Sequence, residues 1–331
     1  MSQTVLVTGG AGYIGSQTNL ALLEAGYKTI VFDNLVYGHQ SVVPVESEFF
    51  LGDLNNPDSL EEVFSKYKID AVVHFAAYAY VGESVENPAK YYQNNVVGTL
   101  NLLNAMKKHG VNKIVFSSTC AIYGEIKEIP VSESKSADPI SPYGKSKWMV
   151  EQILDDFSQA YDLNAIKLRY FNACGADKEL RTGEWHDPET HLIPIVLEVA
   201  AGKREILSVF GDDYDTPDKT CIRDYIHTMD LASGHVKALQ KLFVATEKIC
   251  EGVNLATGKG YSILEIVDAA RKTTGKEIKI EFKPRRAGDP AKIVADNAKA
   301  KAYLGWDSEF SDIDFIMQTA WDWMLKNTPA P

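Results

Sequence analysis

Short apolar runs alternate with longer stretches whose apolar positions recur every three or four residues. Val5–Val7, Thr29–Phe32, Phe49–Leu51, Ala71–Phe75, Lys113–Ser117 and Ala165–Leu168 read as strands. Helical patterns fill the intervals at Ser16–Ala25, Pro57–Tyr67, Pro88–His109 and Pro142–Tyr161. In the last of these, Met149, Val150, Ile153, Leu154, Phe157 and Tyr161 share one stripe, and Tyr92, Val96, Leu103 and Met106 do so in Pro88–His109. Packing on a core accounts for both stripes; the two helices could also meet their copies across a dimer interface. Such alternation builds an α/β fold with a Rossmann-type, doubly wound parallel sheet, and ligands lie beyond the carboxyl ends of its strands.

After Asn172 the alternation breaks. Residues 173–220 are rich in Gly, Asp and Pro around one helical stretch, Leu192–Ala201. A helix at Met229–Leu242 and a strand at Gly252–Asn254 look able to rejoin the first sheet. A helix (Ser262–Thr274), a strand (Ile278–Phe282) and an amphipathic helix (Ile313–Leu325) complete the chain. The expected division is residues 1–172 as a first domain and 173–331 as a smaller mixed α/β region, with about 221–258 returned to the first.

At 331 residues, each part has enough chain for a core. The net charge of −11 argues against nucleic acid and anionic membrane as partners, so an anionic ligand needs local cations such as Arg223, Arg285 and Arg286. No apolar run approaches the roughly 20 residues that span a bilayer, and the N-terminus has no signal-peptide pattern. Cys120, Cys174, Cys221 and Cys250 are scattered without a C-x-x-C pair, as expected of free thiols in a reducing cytoplasm. No metal site is expected.

The first strand runs into Gly9-Gly10-Ala11-Gly12-Tyr13-Ile14-Gly15. Glycines at 9, 12 and 15 let backbone N–H groups and a helix N-terminus approach a pyrophosphate. The second strand ends in Asp33, 18 residues after Gly15. A carboxylate there accepts hydrogen bonds from an adenosine ribose and repels a 2′-phosphate, which points to NAD rather than NADP.

Tyr143 and Lys147 stand four residues apart just inside a helix that Ser141 and Pro142 begin, hence on one face. A free phenol, with pKa near 10, is useless as a base at neutral pH. A neighbouring ammonium and a nicotinamide cation both favour the phenolate. Thr119 ends a strand, and its hydroxyl can share a hydrogen bond with a substrate oxygen that Tyr143 deprotonates.

With these motifs in place, the chain resembles the extended short-chain dehydrogenases/reductases, and among them the UDP-glucose (UDP-galactose) 4-epimerases. The resemblance runs through T-G-G-A-G-Y-I-G at 8–15, D-N-L at 33–35, G-D-L at 52–54 and H-F-A-A at 74–77. It continues through V-G-E-S at 81–84, Y-Y-x-N-N at 91–95, S-S-T at 117–119 and Y-G-K-S-K at 143–147. R-Y-F-N at 169–172, F-G-D-D-Y at 210–214, R-D-Y-I-H at 223–227 and R-R-A-G-D at 285–289 complete it. It implies reversible inversion at C4 of a UDP-sugar through a 4-keto intermediate, on tightly bound NAD. Thr119, Tyr143 and Lys147 would form the catalytic set.

For the cofactor, the resemblance implies Tyr13 and Ile14 at the phosphates, Asp33 and Asn34 at the ribose, and Asp53 and Leu54 near the adenine. Phe75, Ala76, Ala77, Asn94 and Phe171 continue that site together with Thr119, Tyr143 and Lys147. For the UDP-sugar it implies Asn172, His191, Leu192, Phe210, Arg223, Arg286, Asp289 and Ile293, besides Thr119 and Tyr143. Three positions depart from the pattern. Ala79 replaces a frequent lysine, His191 replaces an asparagine, and Ile293 stands where a tyrosine or a smaller residue walls the sugar. UDP-N-acetylhexosamines and UDP-xylose/UDP-arabinose are therefore alternative substrates. A dehydratase is disfavoured, because Cys120 and Ala121 follow Thr119 where a dehydratase has carboxylates. A non-catalytic NAD-binding regulator could dispense with the tyrosine and lysine retained here.

Overall fold

The computed structural model describes residues 2–126, 128–286 and 289–327. Val5 and Val7 face one side of the first strand and Leu6 the other, and each side meets its own core cluster. Burial on both faces is why the strand runs are continuously apolar. The first half supplies β1 (Thr4–Thr8), β2 (Lys28–Asp33), β3 (Glu48–Leu51), β4 (Ala71–His74), β5 (Lys113–Ser117) and β6 (Asn164–Tyr170). Between them run α1 (Tyr13–Glu24), α2 (Pro57–Lys66), α3 (Val81–Glu86), α4 (Pro88–Tyr91), α5 (Gly98–Lys108) and α6 (Pro142–Tyr161).

The remainder holds β7 (Asn172–Cys174), α7 (Leu192–Ala200), β8 (Leu207–Phe210), β9 (Ile222–Arg223), β10 (Tyr225–His227) and α8 (Thr228–Val244). Then come β11 (Cys250–Leu255), β12 (Tyr261–Ser262), α9 (Ile263–Thr274), β13 (Ile280–Lys283), β14 (Lys292–Ile293) and α10 (Ile313–Lys326). The main sheet has seven parallel strands in the order β11-β6-β5-β4-β1-β2-β3. The strand order reverses between β1 and β4, and a crevice forms at such a switch point. The chain after residue 220 thus returns its seventh strand, β11, to this sheet, and α8 packs on α1. A separate core joins α7, α9 and α10 to β8.

Several details differ from the sequence expectation. Helix α1 begins at Tyr13 rather than Ser16, because Gly12 takes the N-cap position. The stretch 173–220 contains β7 and β8, which are too short to show a period of two. The region expected as one helix from Pro88 to His109 carries a π-helical segment, Tyr92–Val97, between α4 and α5. Asn95 lies in that segment: its side chain accepts from Tyr78 N at 2.8 Å and donates to Tyr78 O at 3.0 Å and Ser146 Oγ at 3.1 Å. Of the motif at 285–289, Ala287 and Gly288 lie outside the described residues.

Helix α6 is defined at both ends. The Ser141 hydroxyl accepts from Gly144 N at 3.1 Å, Pro142 opens the first turn, and Asp162 ends the helix at φ 60°. A capped start with proline and a left-handed stop is the pattern its sequence carries. Its inner face holds Glu151, which is fully buried. Glu151 accepts from Arg169 Nε at 3.0 Å, Arg169 Nη2 at 2.6 Å and Ser118 Oγ at 2.6 Å, and Arg169 Nη1 donates to Tyr123 Oη at 3.1 Å. Removing one partner of a buried pair strands the other's charge, which costs about 3–5 kcal/mol, whereas replacing both by apolar groups is often neutral. Glu151→Leu is therefore expected to lose about that much stability, and Glu151→Leu/Arg169→Met much less. Urea denaturation of the two variants measures both; equal losses would refute the pairing.

Candidate active site

The crevice at the switch point is a cavity of about 450 Å³. The β1–α1 turn forms its floor. A Cβ placed on Gly15 would sit 2.1 Å from Gly9 O, and one on Gly9, at φ +73°, would sit 2.5 Å from Ala76 N. No side chain fits at either position. Gly12 caps α1 with no side-chain hydrogen bond, so the first N–H groups of the helix remain available to an anion.

Asp33, at the end of β2, is 7% exposed. Its oxygens accept from Leu35 N at 2.8 Å and Ala11 N at 3.0 Å. Burial raises this carboxyl above its ordinary value, and the two N–H donors oppose that. Each oxygen keeps a further lone pair for a ligand hydroxyl. Asn34 lines the cavity and its Nδ2 donates to Asp53 Oδ2 at 3.1 Å, whereas Asp53 itself does not line it. The glycine turn and the carboxylate, opening on one cavity, fit the diphosphate and ribose of a dinucleotide.

The other end of the cavity receives Thr119, Tyr143 and Lys147. Lys147 is buried, its Nζ donating to Ser117 O at 2.8 Å and lying 4.9 Å from the centre of the Phe116 ring. Burial brings this amine down to about 7, against an opposing pull from Glu151. Burial pushes the Tyr143 phenol well above its ordinary value, the neighbouring Tyr170 adds to this, and the Thr119 hydroxyl works against it. The sequence suggests that a neighbouring ammonium lowers the phenol. In the structure desolvation is the largest influence on Tyr143, and Lys147 directs its ammonium to the Ser117 carbonyl.

Gly9, Gly12, Tyr13, Ile14, Gly15, Asp33, Asn34, Leu54, Phe75, Ala76, Ala77, Asn94 and Phe171 also line the cavity, as do Asn172 and His191. Ala79 lines it too, between Tyr78 and Tyr80, whose rings both meet Tyr37 edge-on. Lys90 places its ammonium 4.4 Å from the Tyr78 ring centre and donates to Tyr37 Oη at 3.0 Å. A cation thus sits behind the aromatic group that flanks Ala79.

Leu192, Phe210, Arg223, Arg286, Asp289 and Ile293 do not line this cavity. Arg223 pairs with Asp289, and the Arg286 guanidinium lies 4.0 Å from the centre of the Phe210 ring. Ile293 pairs with Arg223 through β14 and β9 and packs beside Phe171 and Cys120. Leu192 packs into the core around α7. Asn172 links the two groups, since its amide donates to Asp224 O at 2.8 Å, one residue beyond Arg223. Ile293 is thus partly buried in the same cluster as Phe171, which does line the cavity.

Sequence reasoning passes over Glu184, His186 and Glu189. The first two line the cavity, and all three gather around His191. Burial disfavours charged imidazoles, but Glu184 and Glu189 outweigh it, carrying His186 to about 9 and His191 to about 10. The signal available in the sequence is the spacing Glu-x-His-x-x-Glu-x-His over 184–191.

The family model described as GDP-mannose 4,6 dehydratase matches residues 6–319. A UDP-glucose 4-epimerase of Halalkalibacterium halodurans is 48% identical over 319 residues, 96% of this chain and 95% of that protein. The crystal structure of UDP-glucose 4-epimerase from Brucella ovis in complex with NAD superposes with a TM-score of 0.94 at 49% identity, covering 97% of this chain and 98% of that one. The enzyme from Bifidobacterium longum, in complex with NAD+ and UDP, gives a TM-score of 0.91 at 42% identity, covering 98% and 99%. The glycine turn, Asp33 and the Thr119/Tyr143/Lys147 group occur on a chain that is similar over almost its whole length to these enzymes, and it belongs to the UDP-glucose 4-epimerase family of extended short-chain dehydrogenases/reductases.

Proposed function

We propose that the protein interconverts UDP-glucose and UDP-galactose by inversion at C4. The observation that carries this reading is one cavity that joins a dinucleotide-fitting turn to a buried Tyr143/Lys147 pair beside Thr119. When bound, NAD supplies reversible oxidation at C4, taking up a hydride and giving it back. The chain's own residues do the rest. Tyr143 takes the 4-hydroxyl proton and later returns it, with Thr119 sharing the hydrogen bond. Lys147, held on Ser117 O, orients that end of the cavity and supplies positive charge. Arg223 and Arg286 are the cations for the diphosphate of the sugar nucleotide. Residues 1–172 serve chiefly the cofactor and 173–331 the sugar nucleotide, with α8 and β11 given back to the first part.

Dehydration needs an additional acid and base. Burial pushes the Cys120 thiol after Thr119 up to about 12, and Ala121 carries no such group. Epimerisation requires neither. Ile293 is stiff at its branched carbon and offers no hydrogen bond, so an N-acetyl group beside it would lose water without a new partner. Hexoses are thus favoured over N-acetylhexosamines, and UDP-pentoses fit the same space. The half-exposed Val97, Leu100 and Met149 on the α5 and α6 side are the surface on which a homodimer is expected. The four cysteines are free and no helix among the described residues is long and apolar enough to cross a membrane, which suits a cytoplasmic enzyme.

Product NMR on UDP-galactose without added cofactor tests the reading. UDP-glucose should accumulate with no stoichiometric release of NADH, whereas a released keto product would mean a dehydrogenase. Tyr143→Phe keeps the ring and removes the proton carrier, so turnover should fall by roughly 10²–10⁴ while NAD content is kept. Gly15→Ala forces the glycine turn open and should leave purified protein depleted of NAD; absorbance of the released cofactor after heat denaturation decides that. Ile293→Ser should raise the kcat/KM ratio of UDP-N-acetylglucosamine to UDP-galactose, and an unchanged ratio would place selectivity elsewhere.

A further inference from the structure

The irregular segment between β7 and α7 brings Glu184, His186, Glu189 and His191 together within eight residues. One ligand atom from each lies within 4.8 Å of every other. His191 Nδ1 is 2.8 Å from a Glu184 oxygen and 2.9 Å from a Glu189 oxygen, and His186 Nδ1 is 3.2 Å and 3.7 Å from oxygens of the same two residues. Both carboxylate side chains are only 8% exposed. Glu184 Oε1 and His186 Nδ1 are buried and meet the hydrogen-bond geometry with no group, although Glu184 Oε1 lies in ion-pair range of both imidazoles. Two largely buried carboxylates and two imidazoles that converge on one point, two of their polar atoms without a properly directed hydrogen bond, make the arrangement of a cation site.

We propose that these four residues bind one divalent transition-metal ion of the zinc class. Tetrahedral zinc has ligand bonds of about 2.0–2.2 Å, which sets its ligand atoms about 3.3–3.5 Å apart. The separations above bracket that value. Imidazole donors select zinc-like ions over magnesium or calcium. Four protein ligands close the coordination sphere, so the ion is structural.

The surroundings hold the ligands in place. Trp323 Nε1 donates to Glu184 O at 2.9 Å, the Trp185 ring stacks on His39 at 4.0 Å, and the Tyr13 ring meets His186 edge-on. A second cavity of about 180 Å³, also lined by Glu184, His186 and Glu189, offers a path for the ion. A bound ion would tie the 184–191 segment over the glycine turn and fix the mouth of the main cavity.

The test uses the full chain, stripped with a chelator and then titrated with Zn²⁺ or Co²⁺. We expect one Zn²⁺ per chain by calorimetry, visible Co²⁺ bands of tetrahedral intensity that Zn²⁺ displaces, and a thermal midpoint that rises with Zn²⁺. His186→Asn/His191→Asn should lose all three responses. Glu189→Gln should weaken Zn²⁺ binding by more than about tenfold, the lower end of the effect of losing even an outer partner. If the parent binds Zn²⁺ no more tightly than the double variant, or its Co²⁺ form shows no tetrahedral bands, the site is a histidine–carboxylate ion-pair cluster and the proposal fails. The Co²⁺ spectrum of the parent decides the matter even if the variants fold poorly.

Discussion

The ion pair between Glu151 and Arg169 sets the register of α6. Both groups are largely removed from water, so neither can turn away without leaving a charge unpaired. Glu151 lies one turn after Lys147 and two turns after Tyr143 on the same face of α6. Anchoring it to β6 and to Ser118 aligns the whole row with the ends of β5 and β6. Lys147 reaches Ser117 O, and Thr119 follows two residues later. The sheet edge and the helix thus meet through charge, with apolar packing elsewhere on α6 supplying affinity but little direction.

The same burial that makes the pair specific also governs protonation in the site. The Tyr143 phenol is harder to ionise than a free tyrosine, while the Lys147 amine is easier to discharge. Desolvation penalises both charged forms.

The glycine turn, Asp33 and the Tyr143/Lys147 pair are legible in the sequence because each rests on local spacing along one strand or helix. The seven-stranded sheet is largely legible for the same reason, since β1, β2, β4 and β5 are apolar on both faces. Other features depend on contacts remote in the chain. Ile293 joins the Phe171 cluster through a two-residue strand that pairs it with Arg223, a register that no periodicity reveals. The dyad β8–β13 joins segments about seventy residues apart, each too short for a pattern. Glu184, His186, Glu189 and His191 do carry a readable spacing, yet its meaning depends on the loop folding back on itself.

The π-helical segment at Tyr92–Val97 has a topological consequence for the whole α4–α5 stretch. A wider turn accommodates one residue more than a regular helix of the same rise, and each residue of an α-helix advances the face by about 100°. Asn94 and Asn95 can therefore be buried toward the cavity and α6 while Val97 and Leu100, only two to six positions on, remain half-exposed. The extra residue works as a phase shifter, letting one continuous helix serve an interior polar site and an outward apolar surface. Loss of a single residue within it would restore regular winding and rotate α5 against its core, so chain length here is constrained as tightly as residue identity.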